Sequence, residues 1–239
     1  MWLDAEKLSD FYEKPLGAIA RKCISKTLSD LWPDVRGDVV LGYGYCVPYL
    51  DAFRGEAERV LCFMPAPQGA VSWPKERKNA VALVEEFSLP LRDQSVDRLI
   101  LCHALEFTEH IDDLMTELWR VLRDGGEIII MTPNRRGAWA RITQTPFGHG
   151  KPYSGRQLFE VFLQAGFTPD KPRYCLYAPP SGRTLTNQLA QSFEQLGSTF
   201  WRKLGGVVMI SAKKQVLALK PKRTQAWNTR VFKPTTLST

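Results

Sequence analysis

His103 and Glu106 are the residue types best suited to proton chemistry in this chain. They stand three apart just after a short apolar run, Val96 to Cys102, that reads as a strand. Open parallel sheets bind ligands outside the carboxyl ends of their strands, near the point where strand order reverses. Either side chain at such an edge could act as general base on a substrate proton. A structural histidine satisfied within the core is the competing assignment. Asn134, Arg135 and Arg136 follow the next strand on the same edge. Arginine pairs carboxylate or phosphate through two parallel N–H bonds, so this stretch is an anion site or a surface turn. His149 and Tyr153 flank a glycine- and proline-rich segment that reads as a lid over that edge. A glycine-rich stretch, Gly42 to Leu50, reads GYGYCVPYL. Glycine lets backbone approach a ligand without a Cβ in the way; the alternative is a tight strand-to-helix turn with no ligand. As a dinucleotide fingerprint the stretch fails, because Val47 stands where a glycine is needed.

The elements that must position these residues are legible between Leu89 and Asn134. Val96 to Cys102 is a strand opened by Asp97. Ile111, Leu114, Met115, Leu118, Val121 and Leu122 recur three and four apart, one face of an amphipathic helix. Gly125-Gly126 is expected to end that helix in the left-handed conformation. Glu127 to Met131 is a β-branched run. Strand, helix, strand implies a parallel sheet. Upstream, Asp4 to Leu31 predicts two helical pieces, with Pro15 in the first turn of the second. Gly37–Leu41, Glu58–Phe63 and Asn79–Val84 predict three further strands. Downstream, a helix from Tyr153-Ser154 through Ala165, a strand near Lys171 to Tyr177, a helix from Leu185 to Leu204 and a last strand from Val207 to Leu219 complete the set. Phe11 and Tyr12 are expected in the core or lining a pocket, and Trp73 as a core cap or a stacking surface.

The segments LPL, SVDRLIL and ELWRVLRDGGEIIIMTPN together resemble the class I S-adenosylmethionine-dependent methyltransferases of the broad type 11 group. A closer resemblance, from about Phe11 to about Leu219, is to methyltransferase-like proteins of alphaproteobacteria, through LGYGYCVPYL, TPFGHGKPYS and PNRRGAWA. The resemblance implies a three-layer Rossmann-like α/β fold with a mostly parallel seven-stranded sheet and helices on both faces. It implies S-adenosylmethionine as cofactor, held near Gly42, Gly44, Cys46, Met64, Glu85, Glu86 and His103, and methyl transfer to a small-molecule or protein acceptor. His103 and Glu106 would be its catalytic pair. Two departures stand out. Val40 replaces the acid before the first glycine and Cys46 the third glycine. The second strand ends in Cys62, Phe63 and Met64, without the carboxylate that accepts from the ribose, so Gln68 or a backbone group would have to compensate. A catalytically inactive binding or regulatory module is therefore the alternative. The stretch after the fourth strand lacks the (D/N)PP(Y/F) motif, which argues against methylation of exocyclic amines in nucleic acid.

Length and charge bound the rest. A chain of 239 residues, 44% of them hydrophobic, suits one α/β domain with a sizeable core. The expected layout is a helical segment over 1–36, a methyltransferase-like domain over 37–219 and a basic tail over 220–239. From Lys213 onward the chain holds seven of its 32 basic residues and no acid, so the remaining 25 balance its 25 acids and the body is neutral. The tail reads as a disordered end or as an arm for an acidic partner, RNA or a membrane surface. Five dispersed cysteines, no CxxC pair, three histidines and no signal peptide point to free thiols, no metal, no membrane span and a cytoplasmic location.

Overall fold

In a computed structural model of the protein, the described residues are 1–76, 78–180 and 187–215, without the side chains of 187–191 and 198. The predicted basic tail lies outside them. Two helices open the chain, α1 (Ala5–Glu13) and α2 (Pro15–Leu31). Asp4 caps the first by accepting from the Glu6 amide, and Pro15 sits in the first turn of the second, where its missing N–H costs nothing. Then come β1 (Val39–Gly44), α3 (Val47–Leu50), β2 (Arg59–Pro65), β3 (Val81–Val84), β4 (Val96–Cys102), α4 (Ile111–Val121) and β5 (Leu122–Pro133). The chain closes with α5 (Gly155–Gln164), β6 (Thr168–Pro169), β7 (Arg173–Cys175), α6 (Asn187–Phe200) and β8 (Val207–Lys213).

The strands form one sheet in the order β3-β2-β1-β4-β5-β8-β6, with β7 also pairing β8. β1 to β5 run parallel and β8 is antiparallel to β5. There are eight strands where seven were expected. The strand predicted near Lys171 to Tyr177 is the short β7, and β6 is an additional strand just before it, the two parted by Asp170-Lys171-Pro172, where proline cannot donate to a ladder. The glycine pair behaves differently from its prediction. α4 ends at Val121 and Leu122 is already extended, so Gly125, at φ +78, kinks the start of β5 rather than capping the helix.

Alternation along the central strands builds two cores. Ile100, Cys102, Ile129, Met131, Val207 and Met209 face one side, under α1 and α2. Leu99, Leu101, Ile128, Ile130, Val208 and Ile210 face the other, under α4 and α5. A strand's side chains alternate with period two, so a sheet covered on both faces needs apolar residues at every position. α1 and α2 belong to the first core through Leu8, Phe11, Tyr12, Ala20, Ile24 and Leu28. No helix among the described residues is long and apolar enough to cross a membrane.

Candidate active site

The carboxyl ends of β1, β2 and β4 meet under α1. Gly44 ends β1 at φ +82, and the chain turns sharply there, because the Cys46 amide bonds the Gly44 carbonyl at 2.9 Å. A Cβ on Gly44 would strike the Cys102 carbonyl, and one on Gly42 would lie 2.7 Å from the Cys46 Cβ. Both glycines are therefore required, but the bare backbone they offer is occupied by the chain itself. Cys46 is fully buried, its thiol donating to the carbonyls of Tyr43 (3.2 Å) and Ile100 (3.4 Å). Tyr43 points to the opposite face of the sheet and donates to the Glu86 carbonyl at 2.8 Å. Tyr45 stacks on Tyr12, ring centres 5.9 Å apart.

β4 delivers His103 in the left-handed region, at φ +50, a conformation rare for a residue with a Cβ and commonest where function holds it. Its Nε2 lies 2.7 Å from the Tyr12 hydroxyl, which also reaches the Tyr49 hydroxyl at 2.8 Å. Its Nδ1 faces Glu106 Oε1 at 3.4 Å. His103 and Glu106 are 1% and 2% exposed. Among the described residues, both Glu106 oxygens, His103 Nδ1, Thr132 Oγ1 and Gln68 Oε1 have no hydrogen-bond partner. Burial raises the Tyr12 phenol well above its ordinary value, so it stays protonated and can donate to the imidazole. Gln68, wholly buried, donates its amide to the His103 carbonyl at 2.7 Å.

The loop after β5 covers this row. Phe147 packs on His103 with centroids 5.3 Å apart. The Lys151 amide donates to the Glu106 carbonyl at 2.7 Å, and a Cβ on Gly150 would lie 2.6 Å from that same oxygen. A cavity of about 10 Å³ remains beside Cys102, His103, Glu106, Thr132 and Phe147. That is room for one water at most.

Of the residues the sequence singled out, Gly42, Gly44, Cys46, Met64, His103 and Glu106 converge here, all buried. Glu85 does not: it is exposed on a tight turn bridging to Ser88. Glu86 is held by the Thr108 hydroxyl. Asn134 is a tie, its amide donating to the carbonyls of Lys203 and Gly205 at 3.0 and 2.7 Å, while Arg135 and Arg136 are exposed. His149 bonds the Thr143 carbonyl in its own exposed loop, and Tyr153 is mostly buried. Tyr49 and Thr132 complete the site without having been foreseen, since a tyrosine in a helical turn and a threonine in a strand carry no spacing signal. No metal-binding group occurs among the described residues.

Comparisons with known proteins agree on the architecture. Residues 38–130 match the family model described as a methyltransferase domain. No curated protein sequence matches the chain. Among solved structures, an S-adenosylmethionine-dependent methyltransferase of Thermotoga maritima, a possible histamine N-methyltransferase, is 16% identical. That likeness covers 87% of this chain and 94% of the other, with a TM-score of 0.60. Geranyl diphosphate C-methyltransferase of Streptomyces coelicolor, solved with Mg²⁺, geranyl diphosphate and S-adenosylhomocysteine, is 15% identical over 80% of this chain and 79% of its own, with a TM-score of 0.56. The [4+2]-cyclase SpnF is 19% identical over 81% and 80%, also with a TM-score of 0.56.

Proposed function

We propose, from its methyltransferase-like fold and the match of residues 38–130 to a methyltransferase domain model, that this chain is an S-adenosylmethionine-dependent methyltransferase. Its acceptor is a small molecule or a protein group, and His103 is its proton acceptor. One observation carries the assignment of His103: the buried row Tyr12–His103–Glu106 at the carboxyl end of β4, with neither Glu106 oxygen hydrogen-bonded to a described residue. Buried polar groups in folded proteins are overwhelmingly hydrogen-bonded. A carboxylate left without donors costs several kcal/mol, so a chain keeps one where a ligand or a transferred proton completes it. His103 would take up a proton at Nε2 by way of the Tyr12 hydroxyl, which would pass its own proton to the ring and take the one released by the acceptor. Glu106 would stabilise the imidazolium that results. Tyr12, kept protonated by burial, would hold the ring.

S-adenosylmethionine is the methyl donor of the chemistry that the fold and the domain match support. As packed, the residues around Gly42 and Gly44 do not fit it. Cys46, Leu50, the Cys102 carbonyl and Ala104 fill the space, and the end of β2 lacks a carboxylate. Admission of the nucleoside requires the Gly44–Cys46 turn to open and Gln68 to leave the His103 carbonyl. This closed packing favours a second reading, a catalytically inactive methyltransferase-like binding or regulatory protein. SpnF, a cyclase on a similar fold, illustrates that the architecture does not dictate the reaction.

Calorimetric titration of the purified protein with S-adenosylhomocysteine separates the two. The enzyme reading expects micromolar binding, tightened in Gln68→Ala because the His103 carbonyl is then uncovered. Silence to millimolar ligand in both proteins supports the inactive module.

A further inference from the structure

A second concavity lies on the far side of α2, between that helix, the start of α5, the β6–β7 connection and α6. Its volume is about 1860 Å³, well above the roughly 300–1,000 Å³ of a small-molecule site. Seven cations line it: Lys22, Lys26, Arg156, Lys171, Arg173, Arg202 and Lys203. All seven are exposed; Arg156 pairs with Glu160 at 2.9 Å, and the other six make no ion pair with a described residue. The acids alongside are fewer. Asp30 and Asp170 are exposed, and Glu194 is turned inward to accept from the backbone amides of Leu176 and Tyr177 at 3.1 and 2.5 Å.

The body of the chain is neutral by count, so this clustering is a local field rather than a reflection of overall charge. Two partly buried phenol rings, Tyr174 and Tyr177, lie among the cations; Tyr177 also packs against Gly197 and donates to the Arg202 carbonyl at 2.8 Å. Unpaired cations tracking a groove, interleaved with aromatic faces, are what a flexible phosphodiester with unstacked bases requires. An acidic polypeptide would use the charges and leave the rings unused.

We propose that this groove binds a single-stranded polynucleotide. The inference does not depend on methyl transfer. The six unpaired cations neutralise phosphates and the tyrosines accept stacked bases, without sequence preference.

The test is fluorescence anisotropy of the full chain with labelled oligo-U and oligo-dT about twelve nucleotides long, a length within the range such grooves cover. With six phosphates neutralised, log affinity should fall against log salt with a slope of about −4. Lys22→Glu/Lys26→Glu should weaken binding about tenfold or more and reduce the slope by about 1.4, at roughly 0.7 per phosphate. Lys75→Glu/Arg92→Glu makes the same change in net charge outside the groove and should leave affinity unaltered. Four results would overturn the proposal. They are no binding of either oligonucleotide at low salt, equal loss in both double variants, binding unchanged by reversal at Lys22 and Lys26, or equal affinity for polyglutamate. The last would mark an acidic polypeptide as the ligand.

Discussion

Glu106 concentrates the tension in the site. Neither of its oxygens makes a hydrogen bond to a described residue, and His103 Nδ1 lies 3.4 Å from Oε1. A side chain retained for packing would be replaceable by an apolar one at no loss, and burying an unsatisfied polar group costs about 1–3 kcal/mol. Glu106→Leu is therefore expected to stabilise the fold by about that amount in urea unfolding. Lower stability would mean that Glu106 is a structural partner and that the proton-acceptor role of the row is misassigned. His103 belongs to the same argument. A β4 residue at φ +50 aims its ring at Tyr12 and its carbonyl at Gln68 at once, an orientation that an ordinary extended backbone does not give.

At the scale of elements, the connection from β3 to β4 is held to α4 by one carboxylate. Glu117 accepts from the Leu89 amide at 2.6 Å and from Arg120 at 2.7 and 2.8 Å. Arg120 in turn donates to the carbonyls of Leu89 and Leu91. Hydrogen bonds from Arg120 lower the Glu117 carboxyl below its ordinary value. A folded-state value depressed in this way adds stability above the ordinary carboxylate range near pH 4.3, and that stability is lost as pH falls through the folded value. Glu117→Gln should cost about 1.5–3 kcal/mol at pH 7, the worth of hydrogen bonds to a charged group. The gap between variant and wild type in urea midpoint should shrink on acidification to pH 3. A gap that is constant with pH would show that the amide replaces the carboxylate fully or that the loss is one of shape.

Over the whole molecule, two apolar layers enclose a sheet whose cysteines are almost all interior. Cys46, Cys62, Cys102 and Cys175 are buried, and Cys23 is partly so. Burial pushes the Cys62 and Cys23 thiols up to about 12, and those of Cys46, Cys102 and Cys175 well above the usual thiol range. The thiolate is the reactive form. The folded protein should therefore give almost no reaction with Ellman's reagent at pH 8, while all five thiols titrate in guanidinium. Rapid reaction of a buried cysteine in the folded state would mean that the core opens on the time scale of the assay. The same closure bears on the candidate site, since Cys46 and Cys102 border it.

The sequence alone determined the architecture and singled out several residues that line the candidate site. Strand and helix periods are local properties of the chain, so β4, α4 and the double-faced apolar pattern were readable before any coordinates. His103 and Glu106 follow from their position at the end of a strand. Tertiary structure decided what fills the space beside Gly42 and Gly44. The answer rests on Cys46, Leu50, the Cys102 carbonyl and Ala104, drawn from two separate stretches of chain. A glycine records only that no Cβ is tolerated. Whether a ligand or the protein's own carbonyl takes the vacated volume depends on residues that meet only after folding. The groove of unpaired cations has the same origin, because α2, the β6–β7 connection and the end of α6 are far apart in sequence and adjacent only across the finished fold.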